Sequence, residues 1–417
     1  MSYSVLDKNN IPEYLRGIAK VLELLGDSSD LIVDEIGDGN LNFVFRAFCR
    51  DDPKKSVILK QSVPYLRVVG DGWPLDKKRI HFEMRALAIY GNLVPGNVPE
   101  VYHSDEEMCT LVMEDLRSHK VLRSGMIMNI KYPNVGRSIG TLLAKTLFGT
   151  SSFGMGSLDR HKYMEQFVTN DELCKLTEEF VFTYPLMVHS LNYVNPLTEK
   201  YANEHLRKDS DYKLGTLKLK ETFISDKSAL LHGDLHTGSL MANGVDLRVI
   251  DTEFACFGPL GFDVGKIIAN FLLSYISHYQ SPNDEYKEWV LEETFQILNT
   301  FSKTFLDLWD KTEESAMFTA SLLNSEETKR FKEDYILKIL RDSIGFCACF
   351  ITRRTLGTAG VADIREIEDV VLRSKLEIVS LKLAQTLMSS HGDINSIEEF
   401  KNLVSAFFEK TKRENNF

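Results

Sequence analysis

The hydrophobic period of this chain changes once, near residue 115, and that change decides what it can fold into. Before it, Leu31 to Ile36, Asn42 to Cys49 and Ser56 to Gln61 are short β-rich runs. Gly-Asp-Gly-Asn (37–40) and Asp-Asp-Pro-Lys-Lys (51–55) separate them, which predicts successive antiparallel strands joined by turns. A helix over 77–91 and strands near 98–103 and 109–114 complete a small lobe of five strands and one inserted helix. A helix over 11–26, with Pro12 in its first turn and Gly26 at its end, precedes them. After Asp115 the spacing is helical, over 134–149, 161–168, 172–189, 197–225, 263–280, 284–310, 326–359, 366–390 and 396–413. The exception is 228–251, with short strands at 229–231, 239–242 and 247–250. The expected class is α+β: a small antiparallel-sheet lobe over 1–114 and a large, mainly helical lobe over 115–417. The cleft between two such lobes is the natural ligand site.

Composition narrows the function by exclusion. A net charge of −11 argues against a general binder of nucleic acid or anionic membrane, which would show a basic face. The six cysteines have no metal-ligand spacing; Cys347 and Cys349 would point about 200° apart on a helix. Buried thiols in a reducing cytosol are expected. The N-terminus lacks a basic segment followed by an apolar one, and no run approaches the ~18 apolar residues of a membrane span. A cytoplasmic protein without a signal peptide is expected.

The chemistry concentrates in His232-Gly233-Asp234 and Asp251-Thr252-Glu253. Phosphoryl transfer needs a carboxylate to orient the attacking hydroxyl and further carboxylates to hold Mg²⁺ against the phosphates. Asp234 suits the first task, Asp251 and Glu253 the second. A Ser-His-Asp hydrolase is not indicated, because no serine sits on a Gly-x-Ser-x-Gly elbow. Upstream, the small residues Gly37, Gly39 and Asn40 would let backbone N–H groups approach phosphate oxygens, although Gly-x-Gly in a hairpin is by itself an ordinary turn. Lys60 shares a strand face with Ile58. It is either a strand-end lysine that reaches water or a partner of the ATP phosphates held by Glu83. Glu114, Asp115 and Leu116 end the first lobe, where a strand crossing between lobes offers backbone groups to an adenine edge.

In the order of these parts the chain resembles kinases of the aminoglycoside phosphotransferase and choline kinase superfamily, relatives of the protein kinases, over its whole length. Within that group it is most similar to the methylthioribose kinases. The similarity rests on Gly37-Asp38-Gly39-Asn40-Leu41-Asn42, the Gly72-Trp73-Pro74-Leu75 loop, His232 to Ser239, Asp251-Thr252-Glu253-Phe254-Ala255 and the twin arginines Arg353-Arg354. It implies a two-lobed protein-kinase-like fold, ATP and Mg²⁺, a homodimer, and phosphorylation of the anomeric hydroxyl of 5-methylthioribose in methionine salvage. It further implies that the Trp73 loop folds over the sugar, excluding water, and that the arginines contact sugar hydroxyls or the transferred group.

Ser239 departs from the wider superfamily, which has a metal-binding Asn there. The resemblance places the metal on Asp251 and Glu253, with Ser239 a weaker ligand. Adjacent helical residues diverge by about 100°, so Arg353 and Arg354 are not expected to face one ligand squarely. Two rival readings remain at this level: a kinase for choline, homoserine or an aminoglycoside, and a non-catalytic pseudokinase. Cationic substrates would need an acidic and aromatic site, whereas methylthioribose is neutral. Chemically competent residues at every catalytic position speak against a pseudokinase.

Overall fold

The computed structural model describes residues 3–26, 30–36, 41–66, 70–279, 283–319 and 321–414. Two short helices, α1 (Ile11–Arg16) and α2 (Ala19–Leu25), stand where the periodicity predicts one. The break falls at Gly17: its N–H and that of Ile18 bond the tighter i−3 carbonyls of Tyr14 and Leu15. A mid-helix glycine costs roughly 1 kcal/mol against alanine, so this is the weakest point of the run.

Strands β1 (Leu31–Glu35), β2 (Asn42–Cys49) and β3 (Ser56–Ser62) follow, then a two-stranded ribbon of β4 (Tyr65–Leu66) and β5 (Gly70–Pro74). Helix α3 (Arg79–Leu93) leads to β6 (Val101–Asp105) and β7 (Thr110–Glu114). The main sheet is antiparallel in the order β1-β2-β3-β7-β6. The ribbon is an addition to the expected set: the Trp73 segment, read from sequence as a loop, is strand β5.

Central position explains the character of β3. Val57 and Leu59 enter the core under α1 and α2 with Phe45, Ala47 and Val112. Ile58 goes to the opposite face, among Ile80, Ala86 and Leu87 of α3 and Met113 of β7. Both faces are covered, so Lys60, paired across the sheet with Val44 and Leu111, is buried rather than reaching for water.

The second lobe begins with β8 (Lys120–Val121), α4 (Leu122–Ile127), α5 (Val135–Thr150), α6 (Ser157–Phe167) and α7 (Asp171–Phe180). Then come α8 (Pro196–Tyr201) and α9 (Ser210–Ser225), which lead to β9 (Ala229–Leu231), β10 (Leu240–Asn243), β11 (Asp246–Val249) and β12 (Cys256–Gly258). Helices α10 (Gly261–Ser277), α11 (Asp284–Asp310), α12 (Ser325–Leu356), α13 (Ala362–Arg365), α14 (Val370–Ser390) and α15 (Ile397–Glu414) complete it. The helix expected over 197–225 is split: a π turn over Ala202–Leu206 follows α8, and Asp209 caps α9 by accepting from Tyr212 N. The helix expected over 172–189 stops at Phe180, ahead of a 3₁₀ turn that contains Pro185. Asp369 likewise delays α14 by capping it, accepting from Val371 N and Leu372 N.

Helix α10 is buried from Gly261 to Ile276 and packs on α12. A Cβ on Gly265 would lie 2.4 Å from Ser343 O, so the missing side chain lets the two backbones approach. Strand β9 pairs with β12, Leu231 facing Cys256. That pairing lays the segment after β9 beside the segment before β12, which brings the two motifs together. No helix of the described residues is long and apolar enough to cross a membrane.

Candidate active site

Each motif loop is held by the other. His232 Nε2 lies 2.9 Å from Ile250 O, and its Nδ1 accepts from Asp234 N at 3.2 Å; this assigns the ring proton to Nε2. Asp263, at the start of α10, accepts from His232 N at 2.6 Å and Gly233 N at 3.1 Å. Gly233 has φ +79°, and a Cβ there would sit 2.2 Å from Phe254 O, so only glycine fits this turn. Ser239 closes the loop from the other side. Its Oγ accepts from His236 N at 2.8 Å and donates to Asp234 O at 2.9 Å. The hydroxyl that the sequence offers as a weak metal ligand is thus engaged in shaping the backbone around Asp234.

Three donors converge on the Asp234 carboxylate. Lys266 of α10 donates to Oδ1, Arg354 Nη2 of α12 lies 3.8 Å from the same oxygen, and His236 Nε2 lies 3.4 Å from Oδ2. Gly238 N donates to His236 Nδ1 at 2.9 Å, which leaves the ring proton on Nε2, facing Asp234. Burial alone would push the Asp234 carboxyl up, but Lys266, His236 and Arg354 outweigh it and hold it well below its usual range. His236 moves the other way: burial, with Arg354 and Arg123 adding to it, pushes the imidazole down to about 3 against the pull of Asp234. At neutral pH the site holds an ionised aspartate beside a neutral histidine.

Sequence reasoning misses Lys266. Its signal is there: a lone lysine inside Phe-Asp-Val-Gly-Lys-Ile-Ile-Ala, a stretch otherwise too apolar for a solvated helix. The twin arginines reconverge despite their divergence on α12. Arg353 Nη1 and Arg354 Nη1 both donate to Ala359 O, at 2.6 and 3.2 Å, but it is Arg354 that reaches Asp234.

A second charged centre joins the two lobes. Lys60 Nζ sits 2.8 Å from Glu83 Oε2 and 2.7 Å from Asp251 Oδ1. Glu253 accepts from Asn42 Nδ2 at 2.7 Å and faces Arg79 Nε at 3.6 Å. Arg79, equally inconspicuous in the sequence, is anchored by Val63 O and Leu41 O. Asn170 Nδ2 fixes the Glu253 segment through the carbonyls of Glu253 and Ala255. Asp251 itself is left-handed, with φ 61° and ψ 51°, a conformation costly for a non-glycine residue and held here by the surrounding pairs.

Three carboxylates surround the cations Lys60 and Arg79. Burial would lower the Lys60 ammonium, but Asp251, Glu83 and Glu253 raise it and keep it charged. Burial, with the neighbouring carboxylates, pushes Glu83 up to about 7 despite Lys60. Burial also acts to raise Asp251, yet Lys60 holds that carboxyl below its usual value. The Asp251 side chain keeps half its surface exposed and is the open carboxylate of the group. Asn42 Oδ1 is buried with no donor among the described residues. Hard oxygen donors of this kind suit a magnesium ion, which takes one or two carboxylates beside phosphate oxygens. Among the described residues no set of three or more His, Cys, Asp or Glu forms a cage of its own.

At the lobe junction, Glu114 N is taken by Glu100 O, and Arg248 Nη1 lies 3.3 Å from the Glu114 carboxylate. Asp115 accepts from Ser56 Oγ at 2.7 Å and pairs with Arg46 at 2.8 Å, while Leu116 is buried. Trp73 stands 6.1 Å from Phe180 of α7, and Asp76 N donates to Glu172 of the same helix. The ribbon of the first lobe therefore rests on the second. The turn with Gly37, Gly39 and Asn40 lies outside the described residues.

Proteins similar in sequence to this chain are phosphotransferases. Residues 40–286 match the phosphotransferase enzyme family. The chain is 36% identical over 413 residues to methylthioribose kinase 1 of Oryza sativa subsp. japonica, covering 96% of this chain and 95% of that one. It is 38% identical over 389 residues to the methylthioribose kinase of Geobacillus sp. (strain WCH70), covering 93% of each. In three dimensions it is similar to the choline kinase from Cryptosporidium parvum Iowa II, with a TM-score of 0.51 at 13% identity, covering 96% of this chain and 98% of that one. That likeness extends to the fold, the two-lobed kinase architecture. By sequence over nearly its full length, the chain belongs to the methylthioribose kinase family of phosphotransferase enzymes.

Proposed function

We propose that this kinase transfers the γ-phosphoryl group of ATP to the 1-hydroxyl of 5-methylthioribose, giving 5-methylthioribose 1-phosphate, a step of methionine salvage. The observation that carries the reading is near-complete coverage of both chains in the relatives named methylthioribose kinase. The site chemistry supports it: an ionised Asp234 beside buried cations suits a neutral acceptor and an anionic transferred group.

In this reading residues 1–114 form the nucleotide lobe, and 115–417 carry the catalytic loops and the sugar site. The adenine edge meets the backbone of Glu114, Asp115 and Leu116. Because Glu114 N is taken by the sheet, the following residues carry more of that contact. The turn of Gly37, Gly39 and Asn40 covers the phosphates, and Lys60, fixed by Glu83, pairs with them. Asp251 and Glu253 would hold Mg²⁺, with Ser239 behind them; the ion when bound offsets phosphate charge. Glu253, which accepts from Asn42 at 2.7 Å and faces Arg79 at 3.6 Å, would turn from Arg79 to supply its oxygen. Asp234 orients the sugar hydroxyl and accepts its proton late, as a weak base suits a loose transition state. Arg354, with Arg353 beside it, faces the charge moving onto the acceptor. Trp73 and its ribbon close the sugar side. The enzyme works in the cytoplasm as a homodimer.

The test is ADP release from Mg·ATP with 5-methylthioribose, choline, homoserine and an aminoglycoside, with phosphorus NMR of the product. Turnover confined to 5-methylthioribose, with an anomeric phosphate, is expected. Faster turnover of any cationic substrate would overturn the assignment, and no turnover of any would favour a pseudokinase.

A further inference from the structure

The ammonium of Lys266 has all its directions committed. It donates to Asp234 Oδ1 and to Gly233 O at 3.1 Å, and it lies 4.8 Å from the Phe350 ring centre and 5.9 Å from that of Phe262. The side chain is 5% exposed, so water does not compete for these contacts. Its backbone belongs to α10, a helix buried along nearly its whole length and closely packed on α12. Few lysines are held so firmly, since an exposed ammonium rotates freely on its stem.

What this clamp does is visible at the two oxygens of Asp234. Oδ1 carries Lys266 and faces Arg354, whereas Oδ2, among the described residues, faces the neutral His236 donor alone, at 3.4 Å. A carboxylate free to rotate presents either oxygen; this one is differentiated. We propose that Lys266 is a positioning residue for phosphoryl transfer, fixing Oδ1 so that Oδ2 is the oxygen that orients the acceptor hydroxyl. The inference rests on the assignment of Asp234 as the orienting carboxylate. Lys266 acts through Asp234 and has no need to touch ATP or sugar. Orientation of this kind appears in turnover rather than in binding.

Burial, aided by Arg354 and Arg353 and opposed by Asp234, lowers the Lys266 ammonium to about 8. The charged groups facing it are Asp234 from the loop, Arg353 and Arg354 from α12, and Asp263 on its own helix. In the wild-type enzyme kcat should therefore fall as pH rises through about 8, with KM for the sugar steady.

The experiment first establishes wild-type turnover of 5-methylthioribose, without which the reading of the site fails rather than this inference. Lys266→Met is then compared by kcat, by both KM values and by thermal unfolding. A fall in kcat of about 30-fold or more is expected, with KM values within about threefold, as lost orientation costs rate and not affinity. In Lys266→Ala, ethylammonium or propylammonium should restore kcat at least tenfold, and neutral propanol should not. A folded Lys266→Met with near-normal kcat overturns the proposal, as does rescue by propanol equal to that by the amines. Should neither variant fold, Lys266→Gln is measured in their place: near-normal kcat overturns the proposal, and a fall of about tenfold or more with steady KM supports it.

Discussion

Replacing Gly233 by alanine separates two penalties that usually arrive together. At φ +79° an L-residue meets left-handed strain of ~1–2 kcal/mol. The new Cβ would also lie 2.2 Å from Phe254 O, a backbone atom that cannot swing aside. Relieving that overlap must shift one of the two loops, at a further ~1–3 kcal/mol by analogy with overpacked cores. The chain supplies its own control: Gly244, in the β10–β11 turn, has φ +58°, and a Cβ there would meet nothing within 4 Å. Gly244→Ala should therefore cost only the conformational part, about 1 kcal/mol. Gly233→Ala should cost about 2–5 kcal/mol. Because Gly233 N is held by Asp263 and Gly233 O by Lys266, the shift also displaces Asp234. A displacement of about 1 Å lowers kcat roughly 100-fold. Urea unfolding of both variants, with m values compared, gives the stability difference. Steady-state turnover gives the catalytic one. If Gly233→Ala were no less stable than Gly244→Ala and kept kcat within threefold, the packing argument for this loop would be wrong.

Two further outcomes are expected. Arg354→Met should lose about 10²–10³ in kcat, as removal of a donor aimed at developing charge does. Arg353→Met should lose less than tenfold, because of the two arginines it is Arg354 that lies within 4 Å of Asp234; equal losses would contradict the geometry. The imidazole of His236, pushed down to about 3 by burial, stays neutral in the fold while the unfolded chain protonates near 6.5. Its contribution to stability is complete above pH 6.5 and is lost progressively as pH falls from there towards 3. Between pH 7 and 5 the wild type should lose about 2 kcal/mol more than His236→Asn in urea unfolding; parallel curves would refute the assignment.

Much of the first lobe was legible locally. Alternating runs and short turns place β1, β2 and β3 nearly to the residue, because strand pairing there joins chain neighbours. The Lys60–Glu83 pair was also foreseeable, since a lysine among apolar strand residues needs a carboxylate once both sheet faces are covered. Helix continuity was less legible. Periodicity alone runs through Gly17 and through the π turn at 202–206, whereas caps such as Asp209 and Asp369 set the actual ends.

The residue types at the site were thus determined by the sequence: an aspartate on a Gly-Asp loop, two more carboxylates after a hairpin, a strand lysine, paired arginines. Their roles toward one another were decided only by tertiary structure. Ser239 ties a backbone loop because His236 N and Asp234 O happen to face it. Arg354 reaches Asp234 because α12 presents it there. Lys266, an inconspicuous letter in an apolar helix, becomes a partner of the Asp234 carboxylate because α10 is buried against the loop that carries it. Spacing along a chain fixes direction within one element; the meeting of charges from three elements depends on how those elements pack, and packing is set by contacts between residues far apart in sequence.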